Sequence, residues 1–561
     1  MNNAPIEEWH ERVPRQQRLP IMAGLLMVML LASLDQTIVS TALPKVISDL
    51  KGFDRYSWVA TAYLLTATVT VPLYGKLSDL YGRKRILLFG VVVFLLGSAT
   101  SGAAQSMNEL ILARGFQGIG AGALMPVVIA TMGDLFSPRE RGRVQGVTGA
   151  VFGFSAIIGP SLGGWITDHF SWRWVFYVNL PVGIAAMIVL VVLMPSLRFT
   201  KSQQRVDYVG ATLLIAGLVP LLLAFTWAGS TYAWGSVQTI GLFAWSIAAL
   251  TVFVIVELRV VQPIIEPRLF RNSIYLVSIA VTFLIGAAMF GGIFYIPLFI
   301  QGIIGSSATT SGTVITPLMV TAIVGSVISG QLLSRWDRYR LLALGGLLLM
   351  TVGVLLLLRL GVNSHYGDVL VAMIVMGAGL GFGMAMYTVI VQNSVPQSEI
   401  GQVTSGLTLF RQLGGTIGLA VMGSFLTSRF STEFNVGLSA SLRRHIPPAT
   451  LGQIRNPQVL ISAQSQAALH QFFSRFGAQG PAMYTEFQNT IKLALSNALH
   501  DVFLLNLITM VAATIIVLFL REIPLRARAT EPGESSRDQA PIIESIPTAQ
   551  TAPGESQRRR A

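Results

Sequence analysis

Apolar residues fall in long blocks separated by short polar connections. A bilayer core takes about 20 apolar residues per helix. By that measure the chain carries about fourteen spans, near 19–42, 57–77, 86–106, 110–134, 143–167, 173–194, 207–228, 238–258, 274–300, 310–333, 340–360, 368–393, 403–427 and 502–521. The pattern predicts an all-α membrane protein. Two segments break it. Residues 428–501 are polar, with amphipathic helical stretches at 457–475 and 482–499 interrupted by Pro447-Pro448 and Gly477–Pro481. Residues 525–561 are rich in Pro, Ser, Glu and Arg, which predicts a disordered tail.

Charge gives the spans a direction. One set of connections carries Arg83-Lys84-Arg85, then Arg139, Arg141 and Arg143, then Arg198, Lys201 and Arg205, and later Arg259, Arg268, Arg271, Arg335, Arg338 and Arg340. The alternate connections near 101–109, 229–237 and 301–309 contain no Lys or Arg. The positive-inside rule puts the first set and both termini in the cytoplasm. The connection at 44–56, with Lys45, Lys51 and Arg55, is the exception, partly balanced by Asp49 and Asp54. The first apolar block follows Arg12, Arg15 and Arg18 without a small-residue cleavage site after it, so it reads as a retained helix rather than a signal peptide.

Composition agrees. Of 561 residues, 52% are hydrophobic and 12% charged, about half the charge that a soluble domain carries. The 54 glycines suit helices that approach closely. The net charge of +13 is spread over the inter-span clusters rather than one basic domain, which argues against nucleic acid. With no cysteine, the chain has no disulfide, thiolate metal site or Cys nucleophile. The six histidines, His10, His169, His365, His445, His470 and His500, are scattered. No nucleophile–base set, phosphate loop or metal cluster stands out. The chain does not read as an enzyme.

Ionisable residues inside a membrane are costly and tend to be functional. Asp35 lies about two-thirds along the first span, in LDQTIVSTALP, some two turns from its outer end near Pro44. A lone carboxyl there can exchange protons between compartments, or it can be a hydrogen-bonded structural group. Arg114 opens the fourth span in ARGFQGIGAGALMP, with Gln117 one turn on along the same face. Its guanidinium is a fixed positive charge, suited to countering a carboxylate or to snorkelling. Arg411, in LFRQLGGTIG, is a similar residue nearer the cytoplasmic end. The fifth span reads GFSAIIGPSLGG, with Gly153, Gly159, Gly163 and Gly164 for close packing and Pro160 for a kink. In GKLSDLYGRKR, Asp79 is placed to meet a helix N-terminus or an arginine across a domain interface.

Taken in order, these segments resemble the major facilitator superfamily, and within it the fourteen-helix drug:proton antiporters. Gly75, Asp79, Gly82, Arg83 and Lys84 match its loop between helices 2 and 3. Arg114, Gln117, Gly118 and Gly120 match its fourth-helix motif, which implies proton coupling. Gly153, Gly159, Pro160, Gly163 and Gly164 match the fifth-helix motif of antiporters. Leu34, Asp35, Thr37 and Pro44 match the first-helix motif, with Ser40 where Asn is commoner. WRWVFYVNLP, Trp172 to Pro181, is also similar to that group.

The resemblance covers about residues 15–525 and implies the major facilitator fold. Behind a cytoplasmic N-terminus (1–18), one six-helix bundle spans 19–200 and the other 263–524, including the extracytoplasmic segment 428–501. Two inserted helices lie within 201–262. It implies a monomer in a bacterial cytoplasmic membrane that uses no cofactor, only the proton gradient, and exports lipophilic or cationic small molecules through alternating access. Because 310–333 holds no acid, neutral or monovalent cargo is expected over dications. Tyr63, Phe290, Phe294, Tyr295, Tyr387 and Arg411 are candidate cavity residues. An exporter of lipids or envelope precursors, an uptake symporter and a non-transporting receptor are the competing expectations.

Overall fold

Within hydrocarbon a backbone must satisfy its own hydrogen bonds, so each apolar block closes into a helix. A computed structural model describes residues 13–522, apart from 137, 196–206, 230, 261–262, 265, 336–338, 396–399, 447–450, 452–456 and 462. The tail at 525–561 and the side chain of Asp79 therefore lie outside the described residues.

In the first half run α1 (Arg15–Leu50), α2 (Trp58–Tyr81), α3 (Arg83–Ala103), α4 (Met107–Leu135), α5 (Pro138–His169) and α6 (Asn179–Leu193). A pair follows, α7 (Tyr208–Trp227) and α8 (Val237–Glu257). The second half holds α9 (Ser273–Phe299), α10 (Ala308–Arg335), α11 (Tyr339–Leu358), α12 (Tyr366–Asn393), α13 (Ile400–Gly437) and α14 (Gly480–Val517). Among the described residues, 13 spans are long and apolar enough to cross a membrane, α6 together with the helical turn Trp174–Tyr177 before it. The fourteenth, α2, has 24 residues, and Thr61, Thr66, Thr68 and Thr70 make it more polar. Outward-facing Val192, Ile188, Val237 and Ile247 are exposed, as a lipid-facing surface requires.

Short polar residues start several helices by accepting orphan backbone N–H groups. Ser106 accepts from Glu109 at α4, Asp207 from Gly210 at α7, and Asn272 from Ile274 and Tyr275 at α9. The turn from α2 to α3 passes through Gly82 at φ 94°, a backbone region that a side chain would strain.

The two halves repeat one packing scheme. In the first, α1 packs on α4, α5 and α6, α4 packs on α2 and α3, and α3 meets α6. Adding eight to each label gives the contacts of the second half: α9 with α12, α13 and α14, α12 with α10 and α11, and α11 with α14. The halves join through α5 against α10 and α2 against α13, and α7 lies alongside α13 and α2.

Among the described residues, several side-chain contacts between halves sit at the end away from the arginine-rich turns. Tyr56 stacks on Tyr295 with ring centroids 5.8 Å apart and donates to the Phe294 carbonyl at 2.6 Å. Gln301 donates to the Thr41 carbonyl at 2.9 Å. Asp168, at the end of α5, accepts from the backbone N–H groups of Ala308 and Thr309 at 3.2 and 2.7 Å. A carboxylate there also complements the positive end of the α10 dipole.

Three sequence expectations change. α1 continues to Leu50 rather than ending near 42, because Pro44 is carried inside the helix. Asp35 therefore lies about four turns from the helix end, not two. The 44–56 connection shrinks accordingly, and its Lys45 pairs with Asp49 at 3.7 Å.

The last span begins at Gly480 rather than 502, in one 38-residue helix. The 428–501 segment thus begins and ends with extensions of α13, to Gly437, and of α14, from Gly480. Arg429 binds Asp501 at 2.6 Å and Asn497 donates to Glu433 at 2.9 Å between them. A helix at Ala463–Ser474 lays Phe473 on Phe487, centroids 5.4 Å apart. Phe430 reaches Phe53 of the first half at 5.4 Å.

Glycine seams allow the backbones to touch. A Cβ on Gly381 of α12 would stand 1.9 Å from the Ala322 carbonyl of α10, whereas one on Gly345 would meet nothing within 4 Å. Gly381→Ala should therefore cost about 1–3 kcal/mol and lower the melting temperature in detergent. Gly345→Ala should not. Equal melting temperatures would contradict the seam.

Candidate functional site

Asp35 is fully buried, and three side chains donate to its carboxylate. Arg114 Nη1 donates to Oδ2 at 2.9 Å. Gln117 Nε2 and Asn179 Nδ2 each donate to Oδ1 at 2.9 Å. The donors come from α4 and α6, so one acid on α1 ties three helices together. Arg114 and Gln117 are one turn apart, as their spacing predicted, and Arg114 also donates to Gln117 Oε1 at 2.6 Å. Arg114 is 2% exposed and Gln117 0%, so Arg114 does not snorkel.

Asn179 also donates to Ser98 Oγ at 3.0 Å, and Ser98 donates to the Phe176 carbonyl at 2.8 Å. The Arg114 guanidinium lies 4.1 Å from the centroid of Tyr63 and 5.7 Å from that of Phe176. Aromatic faces of this kind attract a cation. The arrangement is a buried ion pair with hydrogen bonds to both partners, the condition under which such a pair is tolerated. Three buried polar atoms are left over at its edge: Arg114 Nε, Asn179 Oδ1 and Tyr63 Oη.

The glycines of α5 face two neighbours. A Cβ on Gly159 would stand 2.0 Å from Thr37 Oγ1 and one on Gly163 2.3 Å from the Ile38 carbonyl, both on the Asp35 helix. On the other side, Gly153 and Gly164 face Ile323 and Ala308 of α10, and Gly312 of α10 sits on the Pro160 carbonyl. Ser161 and Thr316 are hydrogen-bonded there at 2.8 Å. α5 is thus in backbone contact with both the acid-bearing helix and the other half.

Arg83 and Lys84 of the loop motif make bonds within their own half. Arg83 pairs with Asp134 at 3.0 Å and donates to Ser78 Oγ at 2.6 Å. Lys84 donates to the carbonyls of Val191 and Met194 at the end of α6, at 2.8 and 2.6 Å. Cations are favoured at a helix C-terminus. Gly75 has open space where a side chain would go.

The aromatic candidates separate. Tyr63 belongs to the Asp35 cluster. Tyr295 stacks on Tyr56 and donates to the Leu419 carbonyl at 3.1 Å, so it closes the inter-half contact instead of lining a described cavity. Phe294 is stacked on Phe290 at 6.1 Å. Tyr387 and Arg411 line a cavity among α9, α12 and α13, together with Thr282, Ile285, Thr404 and Thr408.

Sequence reasoning missed Asn179. It is the one amide in the apolar run of α6, inside the quoted WRWVFYVNLP, and a lone polar residue in such a run was the available signal. Glu257, 2% exposed, was also missed. It approaches Asp207 around Gly210, where a Cβ would meet both carboxylates within 2.8 Å.

Comparison with known proteins gives this geometry its context. Residues 25–419 match the model of the Major Facilitator Superfamily. The chain is 37% identical over 538 residues to the multidrug transporter protein MdtP of Bacillus subtilis, covering 95% of this chain and 98% of that one. It is 34% identical over 514 residues to multidrug resistance protein 3 of the same organism, covering 91% and 96%. In solved structures, a bacterial homologue of the human lysosomal transporter Spinster, inward-facing and occupied, aligns with TM-score 0.60 at 14% identity, over 91% of this chain and 98% of that one. A POT family peptide transporter aligns with TM-score 0.59 at 14% identity, over 92% and 99%. These structures support the fold alone. The order of helices, the repeated packing and the near full-length similarity lead to one conclusion: this chain is an integral membrane transporter of the major facilitator superfamily, close to its fourteen-helix multidrug transporters.

Proposed function

We propose that the protein is a proton-coupled antiporter that exports lipophilic small molecules by alternating access. The observation that carries this is the fully buried Asp35 carboxylate held by Arg114, Gln117 and Asn179. Its similarity to multidrug transporters supports small-molecule cargo. The arginine-rich turns support cytoplasmic termini. With that orientation the described contacts between halves lie on the external side.

The mechanism follows from the cost of buried charge. With Asp35 ionised, Arg114 is neutralised within the first half. A proton arriving at Asp35 removes that partner and leaves a buried guanidinium uncompensated, which is strongly unfavourable. The bundle relieves this by rearranging α1 and α4 until Arg114 meets water or another acceptor. Thr37 and Ile38 on α1 bear directly on the α5 glycines, and α5 bears on α10. The protonation event is therefore two helix contacts away from the interface that opens. Small residues along α5 let it slide without first having to separate.

Two tests follow. Asp35→Asn should fold and still bind cargo but lose coupling. For one proton exchanged against neutral cargo, the potential contributes about 2.3 kcal/mol per 100 mV, so the accumulation ratio should fall by roughly 40-fold at that voltage. Proteoliposome flux with and without an imposed gradient measures this, and gradient-driven flux at the unmutated level would refute the assignment. Gly159→Ala should slow efflux, because its Cβ collides with Thr37, and adding Thr37→Ala should recover part of the rate. Independent, additive effects of the two changes would exclude sliding at this contact.

A further inference from the structure

The cavity among α9, α12 and α13 holds a charge that nothing around it answers. Arg411 makes no hydrogen bond and no ion pair among the described residues. α9 carries no Asp, Glu, Lys, Arg or His along its length. The acid of α12, Asp368, is engaged in a capping box at the far end of that helix, about 28 Å from Tyr387 along the helix at 1.5 Å per residue. On α13, Arg429 and Glu433 are bonded to α14 at its far end. The cavity therefore carries one uncompensated positive charge.

Its remaining polar groups add donors. Tyr387 Oη and Thr282 Oγ1 are buried without a partner, in residues 1% and 7% exposed. The periodicity explains how they converge. Thr404, Leu407, Thr408 and Arg411 fall on one face of α13, at intervals of three and four. Leu409 and Leu413 turn away from that face and pack in the cluster that contains α7. The backbone of α13 is fixed here, since a Cβ on Gly286 would stand 2.1 Å from the Arg411 carbonyl. Ile285, Met384 and Leu407 supply an apolar wall.

A buried, unpaired guanidinium with two free hydroxyls beside it is the complement of an oxyanion, and it repels a cation. About 30 Å³ of the cavity is open to water-sized occupants, room for one small polar group rather than a whole drug-sized molecule. We propose that this site binds the anionic group of a lipophilic monoanion, with the carboxylate or sulfonate on Arg411, Tyr387 and Thr282. It rests on the transport reading above and narrows its cargo, away from the cationic molecules that the resemblance led us to expect.

The test uses the full chain in nanodiscs and a matched pair of probes, 1-naphthaleneacetate and its neutral amide. The wild type should bind the acid more tightly than the amide. Arg411→Gln should weaken acid binding by about 10- to 100-fold, the loss of a charged hydrogen-bonded contact, and weaken amide binding by much less, so that the preference for the acid is lost. Tyr387→Phe, a milder change that keeps the ring, should weaken the acid alone by about fivefold. Equal affinity for the acid in wild type and in both variants would overturn the proposal and leave a cavity that holds water. Adding phosphatidylglycerol to phosphatidylcholine discs should not alter acid binding; its abolition would overturn a soluble cargo in favour of a lipid headgroup. Proton-driven flux of both probes is measured alongside. Intact, Arg411-dependent binding without flux would overturn the transport reading while supporting the site.

Discussion

Taking an aspartate and an arginine out of water together is costly, and the rest of the first half is organised around meeting that cost. Asp35 and Arg114 are 2.9 Å apart with almost no exposure. Removing either charge leaves the other stranded, which is the basis for the proposed response to a single proton. Gln117 and Asn179 fill the carboxylate's remaining acceptor sites, and Tyr63 and Phe176 cover the guanidinium. A neutral pair of the same shape would hold the helices together as well, but it would not respond to protonation.

The two halves share a packing scheme yet differ in how they treat charge. The first half pairs its buried cation internally. The second leaves Arg411 beside unpartnered hydroxyls at a cavity. Under the proposed function, that asymmetry would separate two tasks that one central site would otherwise have to perform together: holding a proton and holding cargo.

Much of the architecture was legible in the sequence because a bilayer imposes so simple a rule. Every apolar block of about twenty residues had to become a helix. Asp35 and Arg114 were legible because charge in such blocks is rare, and Gln117 because it follows Arg114 by one turn on the same face. Asn179 was not, since an amide in an apolar helix carries no charge to draw the eye and its partner lies 144 residues away in sequence. Helix ends were misjudged for two reasons. Pro44 sits inside α1 rather than ending it. The start of α14 looked like a separate amphipathic stretch because it leaves the apolar layer while remaining one helix. Tyr295 reads as a possible ligand contact from its type alone; only its stacking on Tyr56 gives it a closing role.

The continuous α14 also has a mechanical consequence. Its 38 residues make a rod of about 57 Å, longer than the roughly 30 Å hydrocarbon layer it crosses. A tilt of about 10° would swing its far tip through roughly 10 Å. The aromatic collar around Phe434, Phe473 and Phe487 rides on that tip, and Phe430 beside it touches Phe53 of the opposite half. Small rotations deep in the bilayer would therefore be magnified at the collar, like the motion of a pointer on a dial.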